Sequence, residues 1–392
     1  MKGDPSKIMH CITSLHGDGA QRMLLRLTTA LNELGLNNII VSLSGKSELA
    51  ENFKKAGSTV LELCMPAGRP TFAGFLQLTR LIKRHRPGII QGWMHHANLA
   101  ATVASWASGV RPYVYWNIRR SLYDLSYDGL STKAAITLGA LLSHHTRAII
   151  YNSDVSRRQH ETIGYCAKRS IMIYNGFDYS RYRPDPSARI ALLQRLNIPG
   201  DAIIVGCVGR FHPHKGQSYL LEAIPHVVAK VPHAHFVLAG REVDARNNEI
   251  ARLLKNREVS NVHLLGGSEN VEKLMAAFDV YCSPSTSEGF PNVLAEAMSC
   301  GVPCVATDAG ASAQLLEGLG LIVERGNSSA ISQAILSMIQ LGPLKRAKLG
   351  ELGRRRITEQ YSMELVIERY RRLYLPETAL APAAIAGPYV GV

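Results

Sequence analysis

Short apolar runs recur along this chain, and each gives way to a stretch whose apolar residues return every three or four positions. IMHCITSLH leads into GDGAQRMLLRLTTALNELG, and NNIIVSLSG follows. GIIQGWMHH leads into ANLAATVASWASG, RAIIYNS leads into DVSRRQHETIGY, and SIMIYNGFD closes the series. The scheme restarts at AIIVGCVGR and continues through HFVLAG, NVHLLGG, VYCSPS, PCVAT and GLIV. Continuous apolar runs alternating with helical periods predict parallel strands joined by crossover helices, because only a sheet covered on both faces tolerates strands without a polar side. The Pro, Asp and Arg of YNGFDYSRYRPDPSARIALLQRLNIPGD mark a linker between the two series. The expectation is an α/β protein of two doubly wound, Rossmann-like domains facing across a cleft: residues 1–183, then 184–355. Residues 356–374 are expected to form a C-terminal helix crossing back to the first domain, with 375–392 as a tail. A length of 392 residues exceeds what one core ordinarily serves. Ligands of such sheets gather at the carboxyl ends of the strands.

Composition narrows the class. With 46% hydrophobic and 19% charged residues the chain is globular. No apolar run approaches the ~18 residues that span a bilayer, and MKGDPSKIMHCITSL has no long apolar segment ahead of a small-residue cleavage site, so the expected place is the cytosol. The seven cysteines sit mostly in apolar settings such as MHCI, VGCVG and GVPCVA, which suits reduced core thiols. Cys300 and Cys304 flank GVP without a second ligand pair, which argues against zinc. The net charge of +13 is uneven: residues 1–183 hold 23 Lys and Arg against 11 Asp and Glu, and the remainder 21 against 20. Aromatics are not interleaved with the basic runs and no nucleic-acid motif is present, so no nucleic-acid partner is expected.

Two stretches carry candidate chemistry. In SEGFPNVLAE, Pro291 suits the first position of a short helix near 291–300, and Gly289 and Phe290 fall on the strand-to-helix turn before it. Free amides at that helix start, those of Asn292 and Val293, favour an anion. Glu296 shares a face with Asn292 and suits paired hydroxyls such as those of a ribose, and Glu288 can serve a sugar beyond a diphosphate. The competing reading is that both glutamates merely complement the helix dipole. The same spacing recurs at Glu351 and Glu359 in ELGRRRITEQ, where a solvated helix face is the obvious reading. In VGRFHPHKGQ, Arg210 and Lys215 place two cations at a strand's carboxyl end, ahead of a helix beginning near Gln217. Together the two stretches describe a diphosphate clamp.

The chain resembles the retaining glycosyltransferases of family 4, also called group 1 glycosyl transferases, which have the two-domain GT-B fold. The resemblance covers nearly all of residues 7–374. It rests on VGRFHPHKG and SPSTSEGFPNVLAEAMSCGVPCVATDAG, with weaker support from HGDGAQRML, HHANLA, NIRRSLYD, YNS and YNGFD. It implies that Glu296 holds the ribose hydroxyls and Glu288 those of the donor sugar, while amides around Gly289, Phe290, Pro291, Asn292 and Val293 hold the diphosphate together with Arg210 and Lys215. It also implies that Gly17 and Gly19 let the first domain's backbone approach the phosphates, and that His96 and Arg119 serve the cleft from the acceptor side. The chain departs from many relatives in reading HGDGAQ in the first loop and in having Ala311 or Gln314 where an acidic residue is common.

No Asp-x-Asp pair is present to hold a divalent ion, so neither metal nor cofactor is expected. The implied partners are a nucleotide-sugar donor, UDP-linked in most of the family, and a glycan or lipid-linked acceptor. A nucleotide-sugar epimerase is the rival, distinguished by needing no acceptor. The excess charge of the first domain, in KRHR at 83–86, NIRR at 117–120 and SRR at 156–158, suggests an anionic membrane surface as a further partner. TFAGFLQLTRLIKRHR is expected to form an amphipathic helix, with Phe72, Phe75, Leu76, Leu78 and Ile82 toward one side and Arg80, Lys83 and Arg84 toward the other.

Overall fold

The computed structural model describes residues 3–375 apart from 18, 46, 67–70, 124, 256–260 and 268–269. The expected tail therefore lies outside the described residues beyond Leu375. The first half alternates β1 (Asp4–Ile12), α1 (Gly19–Glu33), β2 (Asn37–Ser44), α2 (Ala50–Lys55), β3 (Thr59–Met65), α3 (Phe72–His85), β4 (Pro87–Trp93), α4 (His95–Ser108), β5 (Tyr113–Ile118), α5 (Leu130–Leu142), β6 (Ala148–Tyr151), α6 (Asp154–Thr162) and β7 (Ser170–Met172). These strands form one parallel sheet in the order β3-β2-β1-β4-β5-β6-β7. Alternate residues of a strand face opposite ways. Accordingly Ile8, Ile12 and Ile40 join α1 in one core layer, while Met9, Cys11, Ile39 and Val41 join α3 and α4 in the other. This two-sided burial is the physical reason the strands lack a polar face.

The second half runs α7 (Pro186–Leu196), β8 (Ile203–Val208), α8 (Gln217–Val228), β9 (Ala234–Ala239), α9 (Asn248–Lys255), β10 (Val262–Leu264), α10 (Val271–Ala276), β11 (Val280–Ser283), α11 (Asn292–Ser299), β12 (Cys304–Thr307), α12 (Ser312–Leu316), β13 (Gly320–Val323), α13 (Ser328–Gln340), α14 (Gly342–Gln360) and α15 (Met363–Tyr374). Its parallel sheet has the order β10-β9-β8-β11-β12-β13. Strand order reverses between β1 and β4 in the first sheet and between β8 and β11 in the second. At each reversal the connections leave in opposite directions and open a crevice.

The boundaries of the secondary elements depart from the sequence reading in three places. Residues 186–196, read as part of a linker, form α7, with Asp185 accepting from the Ser187 amide and Pro186 in the first turn. Ala188, Leu192 and Leu193 are buried in the second domain's core, so the Asp-Pro pair marks a helix start. Residues 356–360 belong to α14, and the crossing is made by α15 alone. Met363, Val366, Tyr370 and Tyr374 enter the first domain's core beside Ile8, Leu24 and Trp93. On α3, Leu78 and Ile82 are buried as expected, but Phe72 is 76% exposed.

Two chain segments join the domains side by side. Phe177 N–H donates to Tyr361 O at 2.9 Å, and Met363 N–H donates to Phe177 O at 3.1 Å. A Cβ on Gly176 would lie 2.9 Å from Met363 Cα, so glycine is what lets the segments touch.

Candidate active site

The two strand-order reversals gather most of the residues singled out in the sequence. Gly17 and Gly19 follow β1, His96 follows β4, Arg210 and Lys215 follow β8, and Glu288 and Gly289 follow β11. A cavity at the ends of β8 and β11 is lined by Val208, Lys215, Ser285, Glu288, Pro291 and Val293, among others. Within it Lys215 Nζ lies 2.7 Å from Glu288 Oε1, which also accepts from Ser285 Oγ at 2.8 Å. The pair is largely enclosed, with Glu288 11% exposed and Lys215 28%. Reading Lys215 as a phosphate cation and Glu288 as a sugar ligand missed this ion pair. Each fixes the other's rotamer. Lys215 ends a 3₁₀ turn, Pro213–Lys215, after which Gly216 has φ 64° and comes so close that a Cβ would lie 2.0 Å from Pro284 O.

The anticipated helix is α11. Pro291 is its N-cap, and no side chain caps the first turn, so the amides of Asn292 and Val293 have no side-chain acceptor there. Phe290 is 4% exposed and its ring sits among Tyr174, Phe177 and Tyr361 at 5.8–6.0 Å, so its side chain belongs to the second domain's core and only its backbone is open to a ligand role.

Glu296 is partly buried one turn into α11. Burial raises its pKa above the ordinary glutamate value, against the charges of Arg26, Arg22 and Arg181 and a hydrogen bond from Tyr182. Arg22 and Arg26 lie on α1 of the other domain and were not anticipated. Their spacing of four on the first helix after a glycine loop was the available signal. The folded state holds the Glu296 proton more tightly than the unfolded chain does, so this group lowers stability as pH rises from the ordinary value through the raised one, and the deficit persists above. Glu296→Gln is therefore expected to raise the thermal midpoint of the nucleotide-free protein at pH 7 and, on the expectation that Glu296 takes ribose hydroxyls, to weaken nucleoside diphosphate binding by about 1.5–3 kcal/mol, the worth of a charged hydrogen bond. Calorimetric melting and titration check the two halves separately. By contrast, Glu351 and Glu359 lie exposed on α14, paired with Lys348 and Arg355, as a solvated face should be.

On the first domain's side, Gly17 donates its amide to Glu48 Oε2 at 3.2 Å, and His16 lies 3.5 Å from Glu48 Oε1. The amide expected to approach phosphate thus has a carboxylate partner here. A Cβ on Gly19 would lie 2.5 Å from Asn292 Nδ2, which brings the first loop against α11. His96 is the second residue of α4, whose N-cap Met94 has a φ of 70° and ψ of 165°, a strained backbone for a residue with a side chain. Its Nε2 is buried without a hydrogen-bond partner, and burial lowers its pKa, so the neutral imidazole prevails at pH 7. Its neighbour His95 is instead packed, with Nε2 2.9 Å from His160 Nε2.

Arg119 does not line the acceptor side. It is 8% exposed, and its donors go to Asn117, Asn175 and Tyr370. Arg210 remains exposed at the loop's start, with no ion pair to a carboxylate among the described residues. The segment after Arg119 reaches the second domain: Ser121 Oγ lies 3.3 Å from Ser287 Oγ, and the Arg325 guanidinium covers the Tyr123 ring at 3.9 Å.

Residues 202–340 match the family described as glycosyl transferases group 1, and residues 17–181 match glycosyltransferase family 4. A GDP-mannose-dependent monoacylated α-(1-6)-phosphatidylinositol monomannoside mannosyltransferase of Corynebacterium glutamicum is 29% identical over 52% of this chain and 55% of its own. The putative glycosyltransferase EpsF of Bacillus subtilis is 32% identical over 42% of each chain. This chain thus spans about half the length of those two relatives. The lipopolysaccharide core glycosyltransferase LpsE of Rhizobium meliloti is 24% identical over 91% of this chain and 95% of its own. Among solved structures, HepE of Anabaena in complex with UDP superposes with a TM-score of 0.78 at 22% identity, covering 94% of this chain and 99% of that one.

Proposed function

We propose that this chain, which belongs to the group 1 glycosyl transferases and has the GT-B fold, moves a sugar from a nucleoside diphosphate to a glycan or lipid-linked acceptor. The observation that carries this reading is the junction of the Lys215–Glu288 pair with the uncapped start of α11 at one strand-order reversal. A diphosphate gains negative charge as its bond to the sugar breaks, and fixed amides, Lys215 and Arg210 stabilise that charge more than the ground state. Glu296 takes the ribose hydroxyls and Glu288 those of the donor sugar. The neutral His96, with its unpartnered ring nitrogen, faces the task of orienting the acceptor. Retention follows from a front-face attack in which the departing phosphate takes the acceptor's proton. Closure of the cleft on substrate keeps out water that would hydrolyse the donor.

UDP-sugar is the first donor to test, and the GDP-mannose dependence printed for the Corynebacterium relative makes GDP-mannose the second. A panel of nucleotide sugars should contain one that raises the melting temperature by mass action. Transfer from that donor to a glycolipid acceptor should continue in EDTA, since the protein's own cations neutralise the diphosphate. Loss of transfer on chelation, restored by manganese or magnesium, refutes the metal-free scheme.

The acceptor is proposed to be met on an anionic membrane surface. Helices α3, α4 and α5 lie side by side over one face of the first sheet, and residues 63–123 contain no Asp or Glu. Their outer surface exposes Arg80, Lys83 and Arg84 together with Phe72, Trp106, Leu138 and Leu141. Each basic residue near an anionic leaflet contributes about 1 kcal/mol. No helix among the described residues is long and apolar enough to cross a membrane, so the contact is peripheral. The full protein is expected to co-sediment with anionic but not zwitterionic vesicles and to be released by salt. Reversing Lys83, Arg84 and Arg86 to glutamate should weaken this without changing nucleotide affinity. Equal partitioning onto both vesicle types, or onto neither, leaves a soluble acceptor.

A further inference from the structure

Arg119 carries a buried charge with no carboxylate among its described partners. Its Nε donates to Asn117 Oδ1 at 2.8 Å and its Nη2 to the Tyr370 hydroxyl at 2.7 Å, while Asn117 Nδ2 donates to the same hydroxyl at 2.8 Å. Its guanidinium lies over the Trp93 ring at 4.9 Å. Its Nη1 donates to Asn175 Oδ1, and Asn175 Nδ2 donates to Asn292 Oδ1 at 2.5 Å. Five elements are involved: the ends of β4 and β5, the segment joining the domains, α15 and the first residue of α11.

A guanidinium has five donors and no acceptor, whereas a primary amide has one of each kind at its two ends. Arg119 therefore dictates the orientation of everything after it. Asn175 must turn its oxygen to Arg119 and its nitrogen to Asn292. Asn292 must then turn its oxygen to Asn175 and its nitrogen the other way, where it meets Gly19: a Cβ on Gly19 would lie 2.5 Å from Asn292 Nδ2. We propose that Arg119 is a positioning residue that sets the polarity of an Asn175–Asn292 relay, so that Asn292 offers an N–H donor to the diphosphate held between the first loop and the start of α11. This rests on the donor-site reading given above and extends it to a device that ties donor recognition to the seating of the two domains.

The discriminating variant is Asn175→Asp. A carboxylate at this position accepts from Arg119 and pairs its charge, yet has no N–H for Asn292. The Asn292 amide must flip to donate to the new carboxylate, and its oxygen then faces the phosphate. Asn175→Ala instead leaves Asn292 free to rotate to suit the ligand. Titration calorimetry with UDP and GDP, on the full-length wild type and both variants, tests the ordering. Asn175→Asp is expected to weaken the diphosphate that wild type binds by about tenfold or more, the usual worth of a hydrogen bond to a charged group, and to do so more than Asn175→Ala. Its melting temperature without nucleotide should equal or exceed that of wild type, which separates the effect from misfolding. The deficit should persist between about 0.05 and 0.5 M salt, because a reversed local dipole is screened far less than a distant charge. Wild-type affinity in Asn175→Asp, an equal loss in Asn175→Ala, or a deficit that vanishes in high salt overturns the relay. Failure of wild type to bind either nucleotide removes the donor-site reading itself, and the relay with it.

Discussion

Replacing Lys215 with alanine is expected to lower kcat/KM by about 10²- to 10³-fold, the range found when one preorganised group facing a developing negative charge is removed. Two effects act in the same direction. The ammonium assigned to the leaving diphosphate is lost, and Glu288, 11% exposed and bonded otherwise to Ser285 alone among the described residues, is left without its cation beside an anionic ligand. The second effect can be isolated. Glu288→Gln in the Lys215→Ala background removes the stranded carboxylate and should recover part of the affinity for nucleoside diphosphate, although not the turnover, because Glu288 is also assigned to the donor sugar. Steady-state kinetics with titration of the diphosphate separates the two quantities. A Lys215→Ala enzyme within a few-fold of wild type places the departing charge elsewhere, with exposed Arg210 as the first candidate.

A methyl group at Gly289 should be nearly as damaging, for a steric reason. A Cβ there would lie 2.5 Å from Arg119 O, 2.8 Å from Arg119 C and 2.9 Å from Arg120 Cα. All three atoms are backbone of the opposite domain, so no rotamer change relieves the contact. Nor can that backbone easily retreat. Arg120 O accepts from Ser156 Oγ at 2.5 Å, Arg120 forks both oxygens of Asp128 at 2.6 and 2.7 Å, and Leu122 N–H donates to Gln159 Oε1 at 2.6 Å. The domains must instead stand further apart. A displacement on the order of 1 Å at the reacting atoms costs about 10²-fold in rate, so Gly289→Ala should lose turnover by that factor while keeping the melting temperature, and should weaken nucleoside diphosphate binding as well, because the Asn175–Asn292 contact spans the same junction. Wild-type turnover in this variant shows that catalysis does not need the domains this close.

The residues at the strand ends were legible because their signals are local. A glycine or proline after an apolar run marks a turn at the carboxyl end of a strand, and in a doubly wound sheet that is where ligands bind. Arg210, Lys215, Glu288, Gly289 and α11 all follow from short windows of sequence. What crosses from one window to another was not legible. Lys215 and Glu288 are 73 residues apart, and nothing near either foretells that they pair. NIRR looks like a basic surface turn, yet Arg119 is enclosed by partners 56 and 251 residues away. Arg22 and Arg26 read as the polar side of an ordinary helix until the second domain brings Glu296 to them. The error at 186–196 has a different origin: Pro and Asp read as chain breakers, yet the same pair also begins helices.

Helix α15 also has a consequence for how the protein is made. Its Met363, Val366, Tyr370 and Tyr374 complete a core whose other members, from Ile8 to Ile173, leave the ribosome first. At ordinary synthesis rates of about 5–20 residues per second, roughly ten seconds or more separate the two. During that interval the first domain has an open apolar trough where Tyr370 and Tyr374 will lie, and the Arg119 guanidinium lacks the Tyr370 hydroxyl that accepts from it. The second domain, whose helices α7 to α14 are contiguous in the chain, has no such debt and can close before α15 emerges. The nascent chain therefore matures in reverse of its order of synthesis. A stop codon just after Tyr361, where the second domain's core is complete but α15 is missing, leaves the older half, not the younger, as the part that chaperones and proteases recognise.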